Sequence, residues 1–210
     1  MSVLHELAQA LIEGRSSLAR DLTEKALAAG HSPKDVLDSG LVAGMSVVGE
    51  RFKRNDIFIP EVLLSARAMR AGMEVLKPLL ASTGATMLAK VILGTVQGDL
   101  HDIGKDLVGM MLEGAGFQVI NLGVNVSPDS FVQAVSNENA PLLAMSALLS
   151  TTMRYQRDTL EALKKAGLRD RVKVLIGGAP VTQEYADYIG ADGYAPDAAS
   201  AVEKAKELVG

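Results

Sequence analysis

The sequence predicts a bundle of four helices followed by an α/β domain with a doubly wound parallel sheet. In the first 80 residues, apolar side chains recur at spacings of three and four, the period of helices packed side by side. After residue 88, short apolar runs alternate with helical stretches, which is typical of repeated strand–helix units. We therefore expect a helical domain over 1–82, a linker over 83–88 and an α/β domain over 89–210.

Each helix of the bundle carries a start or stop signal. Ser2 is a suitable N-cap for the first helix, and the second runs from about 16 to 29 and stops at Gly30. Ser32 opens the third, with a proline following in the first turn. The fourth begins near Pro60, and its apolar stripe is Val62, Ala66, Met69, Met73, Leu76 and Leu80. This alternation of four and three predicts nearly antiparallel packing.

The second half contains runs that are apolar enough for strands buried on both faces, as in parallel sheets. These runs are 91–96, 118–121, 142–146 and 172–176, with a fifth short strand near Gly193. Helices are expected between and after them, at about 103–115, 128–138, 152–166, 182–189 and 197–209. In such sheets ligands bind beyond the carboxyl ends of the strands.

Composition removes several classes of function. The 210 residues include no cysteine, which excludes disulfides, thiolate-bound zinc and iron–sulfur ligation in this chain. The net charge is −4 without a basic block, so a nucleic-acid partner is not favoured. No apolar run reaches the roughly 18 residues of a membrane span, and the chain begins without a signal-peptide pattern. We expect a cytoplasmic protein with no membrane contact.

The most informative motif is an Asp-x-His-x-x-Gly word at 99–104, directly after the first predicted strand. An acid two residues before a histidine can reach one imidazole nitrogen, which leaves the other as a bare, outward-pointing metal ligand. Here the acid is Asp99 and the histidine is His101. Gly98 and Gly104 bracket the histidine and allow the backbone to approach a large ligand closely.

Two weaker motifs follow at the ends of later strands. Ser146-Ala147-Leu148 ends the third strand, and Gly177-Gly178 ends the fourth. Neither motif is specific alone. Because the carboxyl ends of parallel strands meet at one edge of a sheet, the three motifs in this order predict a single site.

Together these residues, above all the stretch 94–105, resemble the fingerprint of corrinoid-binding carrier proteins of cobalamin-dependent methyltransferase systems. They are also similar to the cobalamin-binding module of methionine synthase. The resemblance covers essentially the whole chain and implies a flavodoxin-like, Rossmann-type domain. It implies that cobalamin or a related cobamide is bound base-off, with His101 as the lower axial ligand of cobalt.

The resemblance also assigns roles to residues of the three motifs. Asp99 would bind the other imidazole nitrogen, and Thr152, six residues after Ser146, would complete a hydroxyl relay to Asp99. With His101, these form the implied catalytic group. Helix capping is the competing interpretation for Ser146, Ser150 and Thr152, and a tight turn for the two glycines. The implied cofactor-binding residues are Gly98, His101, Asp102, Ile103, Gly104, Ser146, Leu148, Ser150, Gly177 and Gly178.

The helical half has a candidate role in the same site. The segment 56–69 resembles the family's cap, which shields the methyl-bearing upper face of the cofactor. Phe58 stands where the capping aromatic is expected, and Val62 is a second candidate. Plain bundle packing is the competing interpretation. A cap that moves aside for transfer implies a mobile linker, and the composition of 81–87 fits one.

The function implied by the resemblance is a methyl carrier without a complete active site of its own. One partner would be a donor-specific methyltransferase, and a second a tetrahydrofolate- or thiol-dependent acceptor methyltransferase. A reductive activase is a further partner that the resemblance leaves open. The alternatives are the cobalamin-binding subunit of an adenosylcobalamin-dependent mutase, a cobalamin-dependent transcriptional sensor, and a flavodoxin-like domain that binds no corrin.

Overall fold

The computed structural model of the chain describes residues 2–83 and 87–210, without the side chains of 81–83. The central part of the predicted linker, 84–86, therefore lies outside the described residues. The chain forms two compact units. One comprises Met1–Met87 with Glu113–Gly116, and the other comprises Leu88–Leu112 with Phe117–Gly210.

The first unit is the predicted helical bundle. Ser2 and Ser32 are N-caps whose hydroxyls accept backbone N–H groups of the first helical turn. The predicted third helix is a continuous rod with a π-helical stretch inside it, and the predicted fourth continues through Pro78. The elements are α1 (Val3–Ile12), α2 (Ser16–Ala28), α3 (Pro33–Val36), the π-helical stretch Leu37–Val42, α4 (Ala43–Lys53) and α5 (Ile59–Thr83).

Two glycines bring α1 close to the rod formed by α3, the π-helical stretch and α4. A Cβ at Gly40 would lie 2.7 Å from a methyl carbon of Leu7, and one at Gly44 would lie 2.8 Å from the carbonyl oxygen of Ala8. The stripe on α5 predicted from the four–three spacing is buried along its whole length, from Val62 at 0% exposed to Leu80 at 6%. The apolar stripe of α5 therefore forms part of the core of the bundle.

The second unit is a five-stranded parallel sheet in the order β2-β1-β3-β4-β5. The strands are β1 (Lys90–Thr95), β2 (Gln118–Asn121), β3 (Leu142–Ser146), β4 (Lys173–Gly177) and β5 (Gly193–Ala195). The helices are α6 (Ile103–Gly114), α7 (Pro128–Glu138), α8 (Arg154–Lys165), α9 (Gln183–Ile189) and α10 (Ala198–Val209), with a 3₁₀ turn at Arg169–Arg171. This is the doubly wound fold that the sequence predicts.

Strand β2 corrects one expectation. It was expected to be buried on both faces, but it lies at the edge of the sheet with its two end residues exposed and its two central residues half-buried. The physical reason is its place in the sheet, since an edge strand has a neighbour on one side only. The remaining predicted strands agree with the structure to within one residue at each end.

The register of the sheet divides its side chains between two faces. Ile92, Leu143 and Val174 are aligned on adjacent strands and belong to one buried cluster with Phe131 and Leu160 of α7 and α8. Residues one position further along point the other way, where Leu93 meets Gly109 of α6 and strand β4 packs near α10. Both faces of the sheet are thus covered by helices, as a parallel sheet requires.

Strands β1 and β3 are neighbours, yet the chain leaves β1 towards β2 on one side and leaves β3 towards β4 on the other. Such a reversal of strand order opens a crevice at the carboxyl ends of the two strands, where ligands bind in this class of fold. The topology therefore places the candidate site beyond Thr95 and Ser146. Among the described residues, no helix is both long and apolar enough to cross a membrane.

Candidate functional site

The three sequence motifs begin at the same edge of the sheet. Thr95 is aligned with Ser146, and Ser146 is aligned with Gly177. The loop after β1 carries Asp99 and His101, and the loops after β3 and β4 carry the other two motifs. Parallel pairing thus brings together residues that lie far apart in sequence.

Asp99 is the centre of this edge, and its side chain is completely buried. Oδ1 accepts hydrogen bonds from His101 Nδ1 at 2.6 Å and from the His101 backbone N–H at 3.1 Å. Oδ2 accepts from the backbone N–H groups of Leu148 and Leu149, at 2.8 and 3.2 Å, and lies 2.7 Å from Thr152 Oγ1. A buried carboxylate needs such a full set of donors, and here the loops after β1 and β3 supply all of them.

These donors also determine the charge of Asp99. Burial on its own would raise the pKa of the carboxyl group, because it disfavours the charged form. Hydrogen bonds from the His101 and Thr152 side chains, and from the backbone of Leu148 and His101, outweigh burial and hold the pKa well below its usual range. Asp99 is therefore a carboxylate at neutral pH.

His101 has one engaged nitrogen and one exposed nitrogen. Its side chain is 52% exposed, although it bonds to a carboxylate that is 0% exposed. A carboxylate only accepts hydrogen bonds, so in the neutral ring Nδ1 carries the proton and Nε2 is the bare nitrogen. Within the described residues, Nε2 has no hydrogen-bond partner. Thr95 Oγ1 donates to the His101 carbonyl oxygen at 2.9 Å and fixes the backbone from below.

Thr152 does not cap a helix. Helix α8 begins only at Arg154, and its N-cap residue, Met153, makes no side-chain cap. The Thr152 side chain is instead buried, and its hydroxyl proton faces two acceptors, Asp99 Oδ2 at 2.7 Å and the Leu149 carbonyl oxygen at 2.8 Å. The geometry thus contains an unbroken line of contacts from Thr152 through Asp99 to His101.

The residues around His101 form an exposed apolar surface, which we call the apolar collar. Its members are four apolar side chains that are exposed: Leu100 (71% exposed), Ile103 (76%), Leu148 (41%) and Leu149 (42%). Gly98, Asp102 and Gly104 are exposed between them, and a Cβ at Gly104 would meet open space. An apolar surface around one bare nitrogen suits a broad, flat ligand with a metal at its centre.

The other predicted residues lie at the same edge with different surroundings. Ser146 is half-buried and Ser150 is exposed, and neither hydroxyl has a hydrogen-bond partner among the described residues. Gly178 has φ +126°, and a Cβ there would lie only 1.8 Å from the carbonyl oxygen of Ala147. The Gly177-Gly178 motif thus forms a tight turn that packs directly on the loop after β3.

In the helical unit, Phe58 and Val62 have opposite environments. Phe58 is 64% exposed at the start of α5, where its backbone N–H is held by Glu61 Oε2 at 3.0 Å. Val62 is 0% exposed and lies on the same stripe as Ala66 and Met69. Helical periodicity turns Val62 inward, as the bundle-packing interpretation expects, and its contact with the cofactor stays a prediction. Phe58 keeps an available ring.

Several contributors were not predicted from the sequence. The backbone N–H groups of Leu148 and Leu149 leave no sequence signal at all, and Thr95 reads as an ordinary strand residue. Gln156 is fully buried beneath the site and donates from Nε2 to the carbonyl oxygens of Met145 and Gly177. Its Oε1 has no partner among the described residues.

The fold and this edge of the sheet define an α/β protein with an exposed histidine at the carboxyl ends of its strands, and comparison with known proteins identifies its class. Two family models match, both described as a B12 binding domain, one over 89–203 and the other over 3–77. The chain belongs to this B12-binding family.

The relatives are corrinoid proteins. Dimethylamine corrinoid protein 1 of Methanosarcina acetivorans is 47% identical over 208 residues, 99% of this chain and 97% of that protein. A corrinoid protein of Desulfitobacterium hafniense is 43% identical over 213 residues, 100% and 99% of the two chains. The methanol:cobalamin methyltransferase complex MtaBC of Methanosarcina barkeri matches with a TM-score of 0.87 at 31% identity, over 99% of this chain and 79% of that chain. These matches do not favour the mutase alternative.

Proposed function

We propose that this chain carries a methyl group on a cobamide that is bound base-off, with His101 Nε2 as the lower ligand of cobalt. The observation that carries the proposal is the state of this imidazole. Asp99 fixes its Nδ1 at 2.6 Å, while the ring is 52% exposed and its Nε2 is bare. A nitrogen fixed in tautomer and direction in this way is a prepared metal ligand.

The surroundings of His101 fit the proposed cofactor. The apolar collar offers the faces of four aliphatic side chains to a macrocycle, and the exposed Gly98 and Gly104 carry no side chain that would hold the ring away. The buried Gln156 Oε1 lies in a side chain that also contacts the carbonyl of Gly177, and it lacks a donor among the described residues. A polar group of the nucleotide tail that reached this position would satisfy it.

When bound, the cobamide would supply a cobalt centre that takes a methyl group from one partner and yields it to another. The residues of this chain determine how readily the histidine binds and releases that centre. Asp99 keeps the proton on Nδ1, and Thr152 and the amides of Leu148 and Leu149 keep Asp99 charged. A carboxylate partner makes the imidazole a stronger ligand than a neutral partner would.

We further propose two methyltransferase partners, one for the donor and one that is tetrahydrofolate- or thiol-dependent, with a reductive activase as a third. The names of similar proteins include dimethylamine and trimethylamine at 47% and 42% identity, and the MtaBC complex includes methanol. Because carriers named for different donors all match this chain over 99% of its length, we propose that the donor is selected by the partner enzyme. The exposed ring of Phe58 is the proposed cover for the methyl-bearing face.

The test uses the purified chain loaded with hydroxocobalamin. The chain has three histidines, so His5→Ala and His31→Ala are matched controls for His101→Ala. Electron paramagnetic resonance of the cobalt(II) form detects the axial nitrogen through its hyperfine splitting. Labelling only the protein's histidines with nitrogen-15 distinguishes an imidazole ligand from the cofactor's own base.

We expect the label to change the splitting in the unsubstituted protein and in both control variants. His101→Ala should still hold the corrinoid through its tail but show no effect of the label. If the labelled and unlabelled proteins show the same splitting, the axial nitrogen belongs to the cofactor's own base, and the proposed binding mode would be wrong.

A further inference from the structure

We propose that Asn125 is a positioning residue that holds the His101 loop against the sheet, acting through the backbone of Gly98 and Asp99. Asn125 lies 24 residues from His101 in sequence, in the loop after the edge strand β2. The inference concerns the ligand geometry of the methyl carrier and therefore rests on the function proposed above. Part of its test needs no cofactor.

The loop after β2 runs alongside the end of β1 and the turn that follows it. Thr95 N–H donates to the Gly123 carbonyl, and Val126 N–H donates to the Thr95 carbonyl, each at 3.0 Å. At the tip of the loop after β2, Asn125 donates one hydrogen bond and accepts another. Its backbone N–H donates to the Asp99 carbonyl at 3.0 Å, and its Oδ1 accepts from the Gly98 N–H at 2.8 Å.

The residue type follows from this geometry. Asn125 has φ 54°, in the left-handed region, which asparagine tolerates better than other residues with a side chain. Its amide is also short enough to reach the neighbouring turn. The Gly98 N–H donates to this amide oxygen. Gly98 has φ +78° and is the third residue of a turn, which is closed by a hydrogen bond from the Asp99 N–H to the Val96 carbonyl at 3.2 Å.

The loop that carries Asn125 is itself held from the other side. Asn121 Oδ1 accepts from the Gly123 N–H at 2.9 Å and from Lys105 Nζ at 3.0 Å, and Asn121 Nδ2 donates to Asp106 Oδ1 at 3.0 Å. The Lys105 ammonium is almost completely buried and lies 2.7 Å from Asp106 Oδ1. Helix α6 thus fixes the start of the loop after β2. Asn125, at the tip of the same loop, in turn restrains the loop that carries His101.

Asp99 is consequently held at both ends. The loop after β3 holds its carboxylate through the amides of Leu148 and Leu149, and Asn125 holds its backbone. If Gly98 lost its contact with the Asn125 side chain, the turn would loosen, and Asp99 would keep its carboxylate contacts by shifting its backbone and rotating its side chain. His101 would then lose the alignment that keeps Nδ1 protonated.

Three substitutions separate this role from general stability. Asn125→Gly keeps the positive φ and the N–H donor and removes only the side-chain acceptor. Asn125→Asp keeps an oxygen acceptor and the tolerance for this backbone conformation, so it is the conservative rescue. Asn139→Gly is the matched control, because Asn139 has φ 49° and its Oδ1 accepts from Arg171 Nη2 at 2.9 Å, at the far end of α7.

The first measurement uses the cofactor-free protein labelled with nitrogen-15 at histidine. In the unsubstituted protein, His101 should give one protonated and one bare ring nitrogen with well separated shifts. In Asn125→Gly these two shifts should move towards each other, while Asn125→Asp and Asn139→Gly keep the original pattern. Both glycine variants should lower the melting temperature by a similar amount, so stability alone would not explain the difference.

The second measurement uses the hydroxocobalamin-loaded protein. The constant for histidine coordination of cobalt(II) should fall about tenfold in Asn125→Gly and stay unchanged in the other two variants. If Asn125→Gly matches the unsubstituted protein in both measurements, or if Asn139→Gly changes as much, Asn125 has no positioning role. If the unsubstituted protein shows no imidazole ligand, the binding mode is wrong, and the cofactor-free spectra still decide the role of Asn125.

Discussion

The loop after β1 has an interior end and an exterior end that differ sharply. Asp99 is 0% exposed and accepts a full set of hydrogen bonds from its own chain. Two residues later the His101 side chain is 52% exposed, and Leu100 and Ile103 beside it are 71% and 76% exposed. We therefore expect the interior end to serve folding and ligand geometry together, and the exterior end to serve binding alone.

This contrast predicts that interior substitutions reduce stability and exterior substitutions reduce only affinity. The largest expected effect is at Gly178, which supports the loop that carries the Leu148 and Leu149 amides. Gly178→Ala forces a Cβ to within 1.8 Å of the Ala147 carbonyl oxygen at φ +126°. We expect a loss of about 3–5 kcal/mol in the free energy of unfolding, measured by urea denaturation.

Gly190→Ala is the control for Gly178→Ala. Gly190 has φ +76°, but a Cβ there would meet nothing within 4 Å. Gly190→Ala should lower the free energy of unfolding by only about 1–2 kcal/mol, which is the strain of an alanine in the left-handed conformation. Equal losses of unfolding free energy in the two variants would show that the close contact with Ala147 does not contribute to the effect of Gly178→Ala.

The next largest loss of stability is expected for Asp99→Asn. The two backbone donors at Oδ2 will take the amide oxygen, so the NH₂ group must face His101. We expect a loss of about 2–4 kcal/mol, because the His101 N–H loses its acceptor and the remaining bonds are no longer charge-assisted. The imidazole should also change tautomer, so that Nε2 carries the proton and stops being a ligand. Urea denaturation and histidine nitrogen shifts measure the two effects, with Asp170→Asn as the exposed control.

The same comparison has a defined pH dependence. Hydrogen bonding lowers the pKa of Asp99 in the folded protein below the value of about 3.9 in the unfolded chain. The unfolded chain therefore binds the proton first, and the stabilising contribution of Asp99 is complete above about pH 5 and declines as the pH falls below 4. The difference in unfolding free energy between the unsubstituted protein and Asp99→Asn should shrink over that range. A difference that grows in acid would contradict the low pKa.

Thr152→Val is expected to have a smaller effect, about 1–2 kcal/mol, because it removes one hydrogen bond from Asp99 and leaves four. Since that bond lowers the pKa of Asp99, its loss should move the acid unfolding midpoint to higher pH. Thr152→Ser keeps the hydroxyl and should leave the midpoint unchanged, although it loses a buried methyl group. If valine and serine variants share one midpoint, the hydroxyl does not act on Asp99.

The smallest effect on stability is expected at the exterior end. Ile103→Asn should change the free energy of unfolding by no more than about 0.5 kcal/mol, because the side chain is already in solvent. The affinity for hydroxocobalamin, measured by equilibrium dialysis, should nevertheless fall about tenfold as an apolar contact is lost. Tyr188→Ser, at a residue that is also 76% exposed but lies on α9, should change neither. An unchanged affinity in Ile103→Asn would remove the apolar collar from the binding surface.

Much of the fold could be predicted because its signals are local. Periods of three and four, the Ser2 and Ser32 caps and short apolar runs depend on neighbouring residues, and the helices and strands follow them closely. The edge position of β2 could not be predicted, since its sequence resembles that of a buried strand and only the strand order exposes it. The burial of Val62 followed from the four–three spacing of its helix, whereas its contact with the cofactor, which only the resemblance implies, stays a prediction.

The sequence by itself determined which groups are available for the proposed chemistry, since the acid, the histidine and the glycine of the motif at 99–104 are fixed by residue type and spacing. Only the tertiary structure decided how that chemistry is held. The donors that keep Asp99 charged are backbone N–H groups of Leu148 and Leu149, and the residue that clamps its backbone is Asn125. Every residue but proline carries a backbone N–H, so only the pairing of strands β1, β2 and β3 selects the ones that meet the carboxylate.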